Sequence, residues 1–140
     1  MSILDLELKL IDIVIVNLYP FEKTIASATV SQSAAIEDID IGGVSLLRAS
    51  AKNYKSVWSV SSPALYDRFM TGLAFQTDGL LDKAVSIRKE MAVESYRLIS
   101  KYDAAIAGYL AGGSDIDASN ASSGLPDILD LNFTKIQAMR

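Results

Sequence analysis

The 140-residue sequence contains no cysteine and no histidine. Without cysteine, the chain has no disulfide framework, thiolate metal site or thiol nucleophile. Without histidine, it has no Ser-His-Asp triad, His-ligated zinc or histidine general base. Any proton transfer must therefore use Asp, Glu, Lys or Tyr side chains whose pKa values are shifted by their surroundings. We predict neither a metal site nor a cofactor.

Basic residues are also few. Thirteen Lys and Arg against seventeen Asp and Glu give a net charge of −4, and the cations form no stripe, which argues against a nucleic-acid partner. Aliphatic runs such as residues 13–16 are far too short to span a bilayer. Residues 1–10 include three charged side chains and do not resemble a secretory signal. The composition predicts a cytoplasmic protein with no membrane partner.

What is present is an alternation of strand and helix patterns in a chain that is half apolar. Residues 11–18 (IDIVIVNL) predict a strand buried on both faces, and residues 57–60 (VWSV) predict a second strand. The predicted helices are residues 31–38, 44–52 and 64–75, the last with Pro63 in its first turn. This order predicts an α/β fold with neighbouring parallel strands in a doubly wound sheet.

A longer periodic segment follows. Apolar residues at three- and four-residue steps over residues 80–110 predict one long amphipathic helix. Arg88 interrupts its apolar stripe, so we expect the helix to bend or leave the core there. Gly112 and Gly113 predict its end. The polar residues 114–126 predict a linker before a short extended segment.

Asn17 and Tyr19 come at the carboxyl end of the first predicted strand. In open α/β sheets, ligands bind at that edge, so both side chains are candidates for ligand contact. Position alone favours a structural role, in which Tyr19 packs its ring at the sheet edge and Asn17 holds a turn.

Two further candidates flank one predicted helix. Asp40, Gly42 and Gly43 precede it, where glycines and a helix N-terminus favour close approach of an anion. An ordinary N-cap role for Asp40 explains the same residues. Arg48 and Lys52 share one face near the helix end, a position that the helix dipole alone favours. A straight ten-residue helix spans about 15 Å, so Asp40 and Lys52 cannot touch across it.

Three segments together carry a family resemblance: IVIVNLYPFEKT, AIEDIDIGGVSLLRASAKNYKSV and KYDAAIAGYL. They resemble the bifunctional purine-biosynthesis proteins, over residues 11–140. That family joins a formyltransferase to a cyclohydrolase, which closes a formamido-carboxamide ribonucleotide to inosine monophosphate with loss of water. The resemblance implies a methylglyoxal synthase-like fold, a purine nucleotide substrate and a homodimer for the intact protein.

The resemblance also implies roles for individual residues. It makes Asp40 and Lys52 the groups that assist proton transfer as the ring nitrogen attacks the formyl carbon, with Tyr19 beside them. It makes Asn17 a nucleotide contact, and it places backbone atoms of Ile41 and Gly42 along the base. A carboxylate and an amine with pKa values near neutrality suit a site without histidine.

The sequence departs from the family pattern at both ends. It contains neither the Ser-Thr-Gly-rich phosphate loop nor the Arg-x-Lys-Thr segment, and no formyltransferase site. We therefore expect an incomplete cyclohydrolase that does not turn over alone. The predicted domains are residues 1–78 (part of the cyclohydrolase sheet), 79–113 (a helical extension) and 114–140 (a linker). Two alternatives stay open: a non-catalytic anion-binding module of the same fold, and an interaction fragment that pairs with a companion chain.

Overall fold

The computed structural model describes residues 9–27 and 29–112, in which the chain is α/β and mostly helical. The elements in chain order are β1 (Ile13–Ile15), α1 (Phe21–Ile25), α2 (Gln32–Glu37), α3 (Gly42–Lys52), β2 (Trp58–Val60), α4 (Tyr66–Thr77) and α5 (Leu81–Gly112). The predicted linker and extended segment, like Gly113, lie outside the described residues. No helix within the described ranges is long and apolar enough to cross a membrane.

The two strands form a parallel pair, as the sequence predicts. Ile13, Val14 and Ile15 stand opposite Trp58, Ser59 and Val60 in register. The pairing extends beyond the strands: the Trp58 N–H donates to the Asp12 carbonyl at 2.8 Å, and the Val16 N–H donates to the Val60 carbonyl at 3.0 Å. The connection through α1, α2 and α3 supplies the crossover that a parallel pair requires.

The prediction that residues 11–18 are buried on both faces is wrong. The strand is shorter than predicted, and Ile13 and Ile15 are 43% and 51% exposed. Within the described residues β1 pairs with β2 alone, and alternation sends Ile13 and Ile15 to the face opposite Val14. These two isoleucines therefore form an apolar face of β1 that the described elements do not cover.

β2 is the buried strand. Trp58, Ser59 and Val60 are all buried, and Trp58 meets Phe69 of α4 edge-to-face, with ring centroids 5.4 Å apart. The core around them is completed from α4 and α5 by Phe69, Ala84, Ile87 and Met91. A second cluster centres on Phe21 and Tyr102 and joins α1 to α5. The long helix thus packs on β2, α1, α3 and α4.

The prediction that α5 leaves the core at Arg88 is also wrong, while the alternative of a bend there stays a prediction. The helix is continuous, and Arg88 is 7% exposed. Its guanidinium lies 5.0 Å from the centre of the Trp58 ring and donates to the Lys55 carbonyl and to Gln76. Burial lowers the pKa of Arg88 through desolvation. The cation–π contact with Trp58 and the two hydrogen bonds compensate part of the desolvation cost.

The predicted helices are confirmed with small shifts at their ends. The Ser31 hydroxyl accepts the Ala34 N–H at 3.2 Å and so caps α2. Pro63 begins a short 3-10 turn, Pro63–Leu65, that leads into α4. α3 begins at Gly42 rather than Val44, so the two glycines lie in its first turn. The division of the chain into domains stays a prediction.

Candidate functional site at the carboxyl end of the sheet

A cleft opens where the chain leaves β1. Its cavity has a volume of about 290 Å³. The polar side chains along its wall belong to Asn17, Tyr19, Glu22, Lys23, Ser61, Ser62, Lys101 and Tyr102. Tyr19 is 61% exposed, so its ring is not packed into the sheet edge and its hydroxyl is available to a ligand. The structure therefore brings two predicted contact residues, Asn17 and Tyr19, to one cavity.

Asp40 lies two residues before α3, and its side chain caps the helix. Its Oδ1 accepts the Gly43 N–H at 2.6 Å, and its carboxylate lies at the positive end of the helix dipole. The N-cap role that the sequence allowed is thus present. A carboxylate has two oxygens, and Oδ2 makes no hydrogen bond to a described residue, so capping leaves it available to a ligand.

The two glycines after Asp40 differ in their surroundings. A Cβ on Gly43 would lie 2.6 Å from Asp40 Oδ2 and 2.9 Å from the Leu18 side chain, whereas a Cβ on Gly42 would meet nothing within 4 Å. Gly43 therefore lets the Asp40 carboxylate and the Leu18 side chain lie close to the start of α3. The space beside Gly42 is open.

We predict that alanine at Gly43 destabilises the fold by about 1–3 kcal/mol, because the new methyl group overlaps the Asp40 carboxylate and Leu18. Alanine at Gly42 is the matched control, and helix propensity alone should make it neutral or stabilising by up to about 1 kcal/mol. Urea unfolding followed by the fluorescence of Trp58, the single tryptophan, measures both. Equal effects at the two positions would contradict this packing.

Tyr102 of α5 connects the two candidate segments. Its hydroxyl accepts the Asp40 N–H at 2.8 Å, and its ring lies edge-on to Phe21 with centroids 6.1 Å apart. Tyr102 also lines the cleft. Sequence reasoning treated it only as one residue of the apolar stripe. The available signal was its hydroxyl, because a buried tyrosine usually requires a hydrogen-bond partner.

The other predicted residues are placed less closely together. Ile41 is 72% exposed between Asp40 and α3, and Gly42 follows it. Lys52 is exposed at the last residue of α3, about 15 Å along the helix from its start. The structure thus groups Asn17 and Tyr19, links Asp40 to them through Tyr102, and does not bring Lys52 beside Asp40. The catalytic roles of these residues stay predictions.

Charged groups surround the cleft without forming a metal site. Lys101 Nζ lies 3.2 Å from Glu22 Oε2 across its rim. Within residues 9–27 and 29–112, no group of three or more carboxylates is placed to hold a metal ion. The chemistry available here is that of a carboxylate, a phenol and ammonium groups.

Comparison with known proteins identifies the family. The profile of the family described as AICARFT/IMPCHase bienzyme matches residues 50–140. The chain belongs to this family. The matched range contains Lys52 and Tyr102 and begins after Asp40.

Curated relatives extend the match toward the N-terminus. The bifunctional purine biosynthesis protein PurH of Rippkaea orientalis is 44% identical over 130 residues, covering 93% of this chain and 24% of the relative. PurH of Pediococcus pentosaceus is 42% identical over 131 residues, covering 94% and 23%. PurH of Microcystis aeruginosa is 46% identical over 100 residues, covering 71% and 19%. The chain therefore spans about a quarter of the length of the first two relatives.

Proposed function

We propose that this chain acts in purine biosynthesis as part of the cyclohydrolase half of the bifunctional enzyme, where a formamido-imidazole-carboxamide ribonucleotide closes to inosine monophosphate. The observation that carries the proposal is the position of Tyr102, which lines the cleft with Asn17 and Tyr19 and accepts the backbone N–H of Asp40, in a chain of the AICARFT/IMPCHase family. A purine nucleotide is the proposed substrate, and the intact protein is proposed to be a cytoplasmic homodimer.

The proposed chemistry follows from the groups at the cleft. Ring closure forms a bond from the amide nitrogen to the formyl carbon. The amide nitrogen and the formamido nitrogen each lose one proton, and the former formyl oxygen leaves with both as water. Asp40 is the proposed acid–base group, since Oδ2 faces no described partner. The exposed Tyr19 hydroxyl is proposed to donate to the developing oxyanion, a role that a phenol can fill. Asn17 and the backbone of Ile41 and Gly42 would hold the base.

Lys52 is set apart from the other proposed site residues. It lies at the opposite end of α3 from Asp40, so the two groups cannot act on one proton in this conformation. The proposal keeps Lys52 as a site residue on the resemblance alone. In this arrangement it would contact a different part of the nucleotide from Asp40.

The proposal includes a methylglyoxal synthase-like, doubly wound sheet. Two features support it: the parallel pairing of β1 and β2 across a helical crossover, and the exposed aliphatic face of Ile13 and Ile15. An apolar, open strand beside a buried one is the pattern expected where further strands or helices pack.

A segment exchange tests the assignment to the cyclohydrolase half. The matching segment of Rippkaea orientalis PurH is replaced by residues 11–140 of this chain, and the two reactions are measured separately. Cyclisation is followed by the absorbance of the forming purine ring. We expect the chimera to cyclise, and we expect a deletion of the segment to abolish cyclisation while formyl transfer persists. A deletion that abolishes formyl transfer and leaves cyclisation intact would overturn the proposal.

A further inference from the structure

The connection between α2 and α3, residues 38–41, carries the proposed acid–base group. Its first two N–H groups bond back to α2: Asp38 donates to the Ala34 carbonyl at 3.3 Å, and Ile39 donates to the Ile36 carbonyl at 3.1 Å. The next N–H, that of Asp40, donates instead to the Tyr102 hydroxyl of α5 at 2.8 Å. The backbone position of Asp40 is therefore set by a distant helix rather than by its neighbours in the sequence.

Two hydrogen bonds together fix Asp40. The bond to Tyr102 holds its backbone, and the bond from the Gly43 N–H to Oδ1 at 2.6 Å holds its side chain. A carboxylate held through one oxygen alone can pivot when its backbone moves, so the backbone bond determines where Oδ2 lies. Proton transfer requires reacting atoms at about 3–3.5 Å, and a misplacement of about 1 Å can cost 100-fold in rate.

Tyr102 is well placed to act as such a support. It is 7% exposed, and its ring is fixed edge-on against Phe21 with centroids 6.1 Å apart. The other oxygen near its hydroxyl is the Asp38 carbonyl at 3.5 Å, which is longer than a normal O–H···O hydrogen bond. The main contact of the hydroxyl is thus the Asp40 N–H, whereas the ring makes the packing contacts.

We propose that Tyr102 is a positioning residue for cyclisation, which holds the backbone of Asp40 so that the carboxylate keeps one position relative to the nucleotide. The inference rests on the proposed function, in which Asp40 is the acid–base group, and it adds a residue of α5 to that site. Tyr102 acts through Asp40, and no contact with the reacting atoms is assigned to it.

The test is Tyr102→Phe in the chimera with Rippkaea orientalis PurH, because phenylalanine keeps the ring and removes only the hydroxyl. We expect kcat for cyclisation to fall about tenfold, while KM for the nucleotide changes by less than about twofold. Tyr109→Phe is the matched control. Tyr109 lies about two turns further along α5, and its ring also meets Phe21 edge-on, with centroids 5.7 Å apart. Its replacement should leave both constants unchanged.

A double-mutant cycle separates positioning from a general loss of structure. In the Asp40→Asn background, Tyr102→Phe should lower kcat by less than about a further twofold, because residues that act as a unit give non-additive losses. A variant that merely loosened the fold would lower kcat by the same factor in both backgrounds.

The hydrogen bond itself is measured in the ¹⁵N-labelled 140-residue chain, without any turnover. Tyr102→Phe should shift the Asp40 amide resonance and speed its hydrogen exchange, since the N–H loses its acceptor. Tyr109→Phe should leave that amide unchanged. An Asp40 amide that is the same in both variants would overturn the proposal.

The kinetic outcomes distinguish failure of this inference from failure of the proposed function. If the unsubstituted chimera does not cyclise, or Asp40→Asn cyclises at its rate, the proposed function is wrong and the inference falls with it. If Asp40→Asn slows cyclisation but Tyr102→Phe behaves like Tyr109→Phe, only the inference is overturned. It is also overturned if Tyr102→Phe raises KM without lowering kcat, or costs the full tenfold in the Asp40→Asn background.

Discussion

Replacing Gly72 with alanine is expected to destabilise the protein by about 3 kcal/mol, near the upper end of the usual cost of overpacking a core. A Cβ at this position would lie 2.6 Å from Trp58 Cζ3, closer still to Cη2, and 3.2 Å from Ile87. The Trp58 ring cannot move aside easily, because Phe69 meets its edge and Arg88 covers its face. Urea unfolding followed by Trp58 fluorescence, with far-ultraviolet circular dichroism as a second probe, measures the loss.

Gly108→Ala provides the matched control for Gly72→Ala. Gly108 also lies inside a helix, but a Cβ there would meet nothing within 4 Å. Alanine should therefore stabilise the protein by about 0.5–1 kcal/mol through helix propensity. If Gly72→Ala behaved like Gly108→Ala, the close packing of α4 on β2 would be incorrect.

Asp40→Asn in the chimera with Rippkaea orientalis PurH is expected to lower the rate of cyclisation about 100-fold or more, the usual contribution of a general acid–base group. The amide oxygen of asparagine can still accept the Gly43 N–H, so α3 should remain capped and the protein folded. Because only the ionisable oxygen is lost, formyl transfer should not change. Stopped reactions analysed for both products measure the two rates in one sample.

Asp67→Asn is the control for this variant. Asp67 is an exposed acidic residue in the first turn of α4. Its replacement by asparagine therefore removes the same charge from a similar helix position away from the cleft. We expect its cyclisation rate to match that of the unsubstituted chimera. Equal losses for Asp40→Asn and Asp67→Asn would assign the effect to net charge or helix stability and would remove Asp40 from the mechanism.

Local patterns were sufficient to predict most elements of the fold. The Ile and Val runs identified both strands and their parallel pairing, because such runs favour extended, apolar-packed backbone. Ser31 marked the start of α2, since a serine hydroxyl satisfies free N–H groups at a helix start. The three- and four-residue apolar steps located α5 almost to its ends.

The features that sequence reasoning missed depend on contacts between distant segments. Hydrophobicity alone could not show that Ile13 and Ile15 are exposed, because exposure depends on which neighbours cover a strand. Arg88 was read as a break in the apolar stripe, but its position over Trp58, thirty residues earlier, lets the helix bury it. The bond between Tyr102 and Asp40 joins residues sixty-two positions apart, a pairing that no local pattern records.

The central claim is that Asn17, Tyr19 and Asp40 belong to one nucleotide site. The most direct measurement is a titration of the ¹⁵N-labelled 140-residue chain with inosine monophosphate, in which binding is localised residue by residue without requiring turnover. The account predicts saturable shifts of the Asn17, Tyr19, Asp40 and Gly42 amides at a common dissociation constant. Tyr19→Ala should weaken all four responses together. Two results would contradict this claim. One is saturable shifts confined to another part of the chain, such as the cavity beside Tyr109 near the end of α5, and the other is no shifts at all.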